Sequence, residues 1–157
     1  MLKLFYMLLI MIAPPVVTAH EFAQKNITVD HPWSKPTPPL SEYGVAYFNV
    51  SNSGQKDDVL LAIEIPDKIA KSASIHDVIH HGEMMRMREL TNGKKIPAGS
   101  TIKFQPGGSH IMLEGLPKPL KLDDKFTIEL VFANAGNVPV EIWVEDAHQQ
   151  SDKHHSH

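Results

Sequence analysis

Residues 126–144 read FTIELVFANAGNVPVEIWV, and this stretch determines the fold class. Apolar side chains recur at every second position on both sides of residues 134–137, which contain asparagine and glycine. Alternation with a period of two around a short turn is the pattern of a β-hairpin with one buried face. We therefore predict two antiparallel strands, residues 126–132 and 138–144.

The preceding sequence repeats this pattern in short pieces that are separated by turn-forming Ser, Asn, Gly and Pro residues. The further strands that we predict are residues 43–50, 59–65, 72–80, 84–90, 101–104 and 109–113. Short strands with a turn every 8–12 residues or so are typical of a sandwich or barrel. The predicted fold class is all-β, a Greek-key β-sandwich or barrel. We expect the proline-rich residues 31–39 to pack along an edge, with His31 in a loop.

The two ends of the chain differ from this central part. Residues 1–19 combine Lys3, an apolar run and the small-residue site Val17-Thr18-Ala19. This is the layout of a secretory signal peptide, and the run is too short for a spanning helix. We predict cleavage after Ala19, with an uncleaved anchor as the alternative. Residues 20–146 would then form one domain in the periplasm without a membrane span. Residues 147–157, AHQQSDKHHSH, are predicted to be a disordered tail.

Composition excludes several classes of function. The formal net charge is −3, and no basic patch indicates nucleic-acid binding. The chain has no cysteine, which excludes disulfides, thiolate metal sites and a cysteine nucleophile. It also contains no glycine-rich phosphate loop, no nucleophile elbow and no HExxH motif. We therefore predict that the protein is not an enzyme.

Histidine and methionine are concentrated in residues 74–89, SIHDVIHHGEMMRMRE. Strand alternation places Met85 and Met87 on one face, and likewise His110 with Met112. Beyond the signal peptide, every methionine is next to a histidine in the sequence or in the predicted sheet. Thioethers are soft, neutral donors for Cu(I), and neutral imidazole binds Cu(I) and Cu(II). The pattern favours a copper site, with a methionine-rich core pocket as the alternative.

The spacing His76-x10-Met87-x22-His110-x-Met112 resembles the PCu(A)C periplasmic copper chaperones, the DUF461 family, whose motif has spacers of ten and twenty-one residues. The surroundings are similar too, notably residues 33–39, 44–52, 96–99 and 106–108. We expect the one extra spacer residue in the turn at residues 91–95. The resemblance implies a cupredoxin-like β-sandwich that holds one Cu(I) through these four side chains. Met85, on the same predicted face as Met87, is the alternative ligand.

The resemblance also implies a role. It implies delivery of copper to the copper domain of a respiratory oxidase or to another copper-assembly protein, and we expect a monomer. The tail histidines would form a second, weaker Cu(II) site: His148, His154, His155 and His157. Copper or zinc buffering without a dedicated acceptor is the alternative, and the sequence does not separate a carrier from a buffer. We expect the Cu(I) site to be shallow, near strand ends at one rim of the sandwich.

Overall fold

The computed structural model describes residues 21–82 and 84–146, and within these ranges every regular element is a β-strand. No helix long and apolar enough to cross a membrane occurs in this part of the chain. The predicted signal peptide and tail lie outside the described residues. The strands are β1 (Glu21–Gln24), β2 (Ile27–Ser34), β3 (Tyr43–Asn52), β4 (Asp58–Glu64), β5 (Ser72–His81), β6 (Met84–Glu89), β7 (Lys94–Ile96), β8 (Ser100–Phe104), β9 (His110–Glu114), β10 (Lys125–Phe132) and β11 (Gly136–Val144).

All strands belong to one hydrogen-bonded sheet with the order β6-β5-β9-β3-β2-β11-β10-β4-β7; β1 also pairs with β2, and β8 with β3. Although β4 and β5 are far apart in this order, they contact each other, as do β3 and β7. The sheet therefore folds over on itself and encloses one hydrophobic core. The predicted all-β class is confirmed.

The hairpin of β10 and β11 shows why the alternation is decisive. Four alternate residues of β10 are buried, and so are four alternate residues of β11, while the residues between them are more exposed. The two strands pair antiparallel from Lys125↔Trp143 to Phe132↔Gly136. Each fully buried large apolar side chain contributes about 1.5–3 kcal/mol. A slip of either strand by one residue would turn its four buried side chains outward, so the register is strongly specified.

The prediction for residues 31–39 was partly wrong. Residues 31–34 do not lie along an edge, because they belong to β2, which lies between β3 and β11 in the sheet. The β2–β3 register shifts between Asp30 and Trp33, so His31 and Pro32 form a bulge, and His31 has a φ of 49°. A bulge frees Pro32 from the ladder hydrogen bond that proline cannot donate. This local irregularity is what allows a proline inside the sheet.

Candidate metal centre

Two of the candidate ligands face each other across neighbouring strands. His76 of β5 is paired in register with His110 of β9. Their ring centroids are 5.7 Å apart, and the ring planes are inclined by only 25°. Met112 follows two residues after His110 and lies opposite Ser74 of β5. Because directly paired residues share a face of the sheet, and so do residues two apart, these side chains are on one face.

The third strand, β6, brings the exposed methionines to this face. Met87 is paired with Val78, two residues beyond His76, whereas Met85 is paired with His80, four residues beyond it. A strand advances about 3.4 Å per residue, so these offsets are roughly 7 Å and 14 Å. Met87 is therefore the nearer of the two thioethers to the histidine pair. Which of them binds metal stays a prediction.

The ligand face is the outer face of this part of the sheet. Ile75 and Ile111, which alternate with the candidate ligands, are buried in the core. On the ligand face His110 is only 6% exposed, whereas Met87 is 59% exposed. The candidate site thus has a buried histidine at its floor and an accessible methionine at its edge. The expectation that the site lies near strand ends holds for His110, the first residue of β9, and was wrong for His76, which lies in the middle of β5.

Hydrogen bonds leave each imidazole with a nitrogen free for a metal. His110 Nδ1 lies 3.0 Å from the Gly108 carbonyl oxygen, which can only accept, so Nδ1 carries the proton and Nε2 keeps its lone pair. His76 Nε2 lies 2.9 Å from Ser74 Oγ, and His76 Nδ1 is buried without a partner. A buried, unpaired polar atom costs about 1–3 kcal/mol, a penalty that a bound metal ion would remove. The residues present therefore fit a metal.

The donor set points to a soft metal. The four candidate ligands offer two imidazole nitrogens and two thioether sulfurs, all neutral when they bind, which is a set that Cu(I) accepts well. Among residues 21–82 and 84–146, no group of three or more His, Cys, Asp or Glu side chains is arranged to hold a metal ion. Binding on this face would therefore depend on the methionines. Zn²⁺ prefers imidazole, thiolate and carboxylate ligands instead.

A polar contact behind the histidines ties their strands together. Asp77 follows His76, and Ser109 precedes His110. Ser109 Oγ donates a hydrogen bond to Asp77 Oδ1 at 2.9 Å, and Lys94 Nζ donates to Asp77 Oδ2 at 2.8 Å. Burial by itself raises the pKa of the Asp77 carboxyl, but the hydrogen bonds from Lys94 and Ser109 outweigh it and hold the pKa below its ordinary value of 3.8. Sequence reasoning missed this contact, because its three residues are brought together only by the fold.

A mostly apolar hollow of about 360 Å³ adjoins the ligand face. Its lining includes Met87, His110 and Met112 together with Pro36, Pro38 and Tyr43. The proline-rich segment that follows β2 therefore forms one wall of the candidate site, which the sequence did not predict. A larger cavity of about 550 Å³ lies at the other end of β3, but no His or Met lines it. Three of the four candidate ligands therefore border the hollow, and none borders this larger cavity.

The remaining sequence candidates fall into two groups. Trp33 packs in the interior, with its ring centroid 4.7 Å from that of Tyr47, so it serves packing. Arg86 and Arg88 are exposed on β6. The tail candidates lie outside the described residues: His148, His154, His155 and His157.

Comparison with known proteins gives one family and one architecture. Residues 27–144 match the model of the family described as "LpqE-like: Putative lipoprotein LpqE-like". The chain is 35% identical over 101 residues to "Putative lipoprotein Lxx21020" of Leifsonia xyli subsp. xyli (strain CTCB07), a match that spans 64% of this chain and only 60% of that protein.

Among solved structures, the copper-bound PCuAC domain from PmoF2 is 25% identical with a TM-score of 0.65, and the match covers 80% of this chain and 97% of that domain. The apo PCuAC domain from PmoF1 is 25% identical with a TM-score of 0.67, covering 80% and 98% respectively. The solution structure of CuI-DR1885 from Deinococcus radiodurans is 26% identical with a TM-score of 0.60, covering 74% and 76%. The cupredoxin-like fold that the sequence implied is confirmed.

Proposed function

Because the chain belongs to the LpqE-like family of PCu(A)C domains, we propose that it is an exported copper chaperone. It binds one Cu(I) through His76, Met87, His110 and Met112. One observation carries this proposal: two imidazoles and two thioethers from three neighbouring strands converge on one outer face. The copper-bound PmoF2 domain, which shares the fold, supports copper as the metal.

The graded exposure of the ligands supports transfer over storage. His110 is buried, so it fixes the position of the ion, whereas Met87 is largely accessible. Because the Met87 sulfur is accessible, an incoming ligand can replace it first. One Cu–S bond then breaks as a new bond from copper to the acceptor forms. Copper remains Cu(I) throughout, and neutral thioethers release no proton. Such stepwise exchange has no stage at which the ion loses all its ligands.

We also propose a compartment and an acceptor for this protein and a role for its tail. The protein acts outside the cytoplasm after removal of residues 1–19, and it is not an enzyme. Its acceptor is the copper domain of a respiratory oxidase or another copper-assembly protein. The tail histidines at positions 148, 154, 155 and 157 hold a weaker Cu(II).

A transfer experiment tests this function. The Cu(I)-loaded protein is mixed with the apo copper domain of a respiratory oxidase, the two are separated, and copper is measured in each. We expect copper to move to the acceptor from the native protein and equally from the Met84→Leu variant, since Met84 lies on the opposite face from Met87. Copper that stays with the donor for every acceptor, with normal oxidase assembly in a deletion strain at low copper, would favour the buffering function.

A further inference from the structure

Strand β6 is an edge strand that leaves its outer side open. It is the terminal strand in the sheet order and pairs only with β5 among the described strands. All six of its residues are exposed, including Met84, Met85 and Met87. An open strand edge offers unpaired backbone N–H and C=O groups to another strand. The edge that carries a proposed copper ligand is thus also the edge that can accept a partner.

The two arginines of β6 are left without ion-pair partners among the described residues. Among residues 21–82 and 84–146, no ion pair or side-chain hydrogen bond involves Arg86 or Arg88. The strand neighbour of Arg88 is Asp77, but both Asp77 oxygens are already engaged by Ser109 and Lys94.

The other terminal strand of the sheet, β7, differs in this respect. Its two lysines, Lys94 and Lys95, form ion pairs with Asp77 and Asp57. Of the cations on the two terminal strands, those of β6 are therefore the ones that have no acidic partner among the described residues and can meet an external acidic group.

We infer that the copper acceptor docks by adding an extended, acidic segment to the outer edge of β6. This inference rests on the proposed function, since it names how the partner meets the same site. Side chains directly opposite each other on paired strands have Cβ atoms about 4.5–5.5 Å apart. A copper-binding residue of the partner opposite Met87 would therefore lie beside the ion. The partner residues on either side of this ligand face Arg86 and Arg88, so we expect both to be acidic. The partner segment then has the order acid, copper ligand, acid.

A second copy of this chain fits the edge less well. In a two-fold antiparallel pair centred on Met87, Arg86 faces Arg88 of the other copy. In a pair centred on Arg86, that residue faces its own counterpart. Like charges directly opposite each other on paired strands are destabilising. The charge pattern of β6 thus disfavours self-association through the middle of the strand and favours a negatively charged partner. Glu89, the acid on the ligand face, lies at the end of the strand.

The test uses the full apo protein and two synthetic peptides. The probe is acetyl-Thr-Val-Glu-Met-Glu-Val-Thr-amide, and its control replaces both Glu residues by Lys. Binding is followed through amide chemical shifts and hydrogen exchange at residues 84–89. We expect the acidic probe to protect these amides and the basic control to bind about tenfold more weakly, because two cross-strand charge pairs change sign.

Two charge-reversal variants test whether the preference for the acidic peptide depends on the arginines of β6. The double variant R86E/R88E should reverse the preference between the two peptides. K56E/K103E changes the net charge equally at exposed positions outside β6, and it should leave the preference unchanged. Equal binding of both peptides, or no protection of residues 84–89 by either, would overturn the inference and leave the arginines as a guard against edge pairing.

A separate measurement keeps this inference distinct from the proposed function. Competition with a Cu(I) chelator on the same protein reports whether copper binds at all. Failure there would refute the proposed function, while the peptide experiment on the apo protein would still be readable. Cu(I) binding together with failure of the peptide test would refute only the docking surface.

Discussion

Replacing Met87 by leucine tests the ligand set most directly. The substitution removes the sulfur and nearly conserves the volume of the side chain, so packing changes little. Met87 is 59% exposed, and exposed substitutions usually change the free energy of unfolding by less than about 0.5 kcal/mol. Folding should therefore survive, and any loss of copper binding can be attributed to the missing sulfur.

The register between β5 and β6 determines the loss of Cu(I) affinity that we expect. Met87 is offset from His76 by two residues and Met85 by four, so Met85 is about 7 Å farther along the strand. Met85 cannot replace Met87 without a shift of the strand. We expect Met87→Leu to weaken Cu(I) binding by about 10–100-fold or more, which is the scale found when a metal site loses supporting groups. Met85→Leu should weaken it by less than about threefold.

The assay is competition with a coloured Cu(I) chelator under anaerobic conditions. Native protein, Met87→Leu, Met85→Leu and the opposite-face control Met84→Leu are compared, with an amide spectrum of each to verify the fold. A larger loss for Met85→Leu than for Met87→Leu would refute the assignment and show that the extra spacer residue had moved the ligand. Equal, small losses for all three would mean that no β6 methionine binds copper.

Three further predictions concern the tail, the metal and Asp77. Removal of residues 147–157 should abolish additional Cu(II) binding, measured by titration, and leave the Cu(I) affinity unchanged; an unaltered Cu(II) stoichiometry would contradict the tail site. Zn²⁺ in excess should not displace Cu(I) from a variant ending at Glu145, because thioethers are poor zinc ligands, so tight zinc binding to that variant would contradict the site. Asp77→Asn should lower the free energy of unfolding at pH 7 by about 1–2 kcal/mol in urea titrations, since one carboxylate accepts hydrogen bonds from Lys94 and Ser109. Because the native pKa of Asp77 is lowered, the contribution of its carboxylate to the free energy of unfolding is complete above pH 3.8 and should be lost as the pH falls through the native pKa. A stability difference between the native protein and Asp77→Asn that persists unchanged in acid would contradict the role of the charge.

Much of the candidate site could be predicted from the sequence, because strand alternation is a local rule. The pairs Met85 with Met87 and His110 with Met112 follow from spacing alone. The pairing of His76 with His110 does not follow from spacing, because thirty-three residues lie between them. Over such a separation the sequence does not specify the register in which the two strands pair. The contact of Asp77 with Ser109 and Lys94 likewise could not be predicted from the sequence. None of these three residues has a sequence pattern that marks it as a neighbour of the others.

The all-β class, the strands of the β10–β11 hairpin and the candidate donors could be predicted from the amino-acid sequence alone. These depend on residue type and on a period of two, which each segment carries without reference to the rest of the chain. The folded chain was needed to show which strands are neighbours, that Pro32 lies in a bulge within the sheet, and that His110 is buried while Met87 is accessible. Strand order and burial arise when distant segments close around a common core, so they are properties of the whole chain and no single segment encodes them.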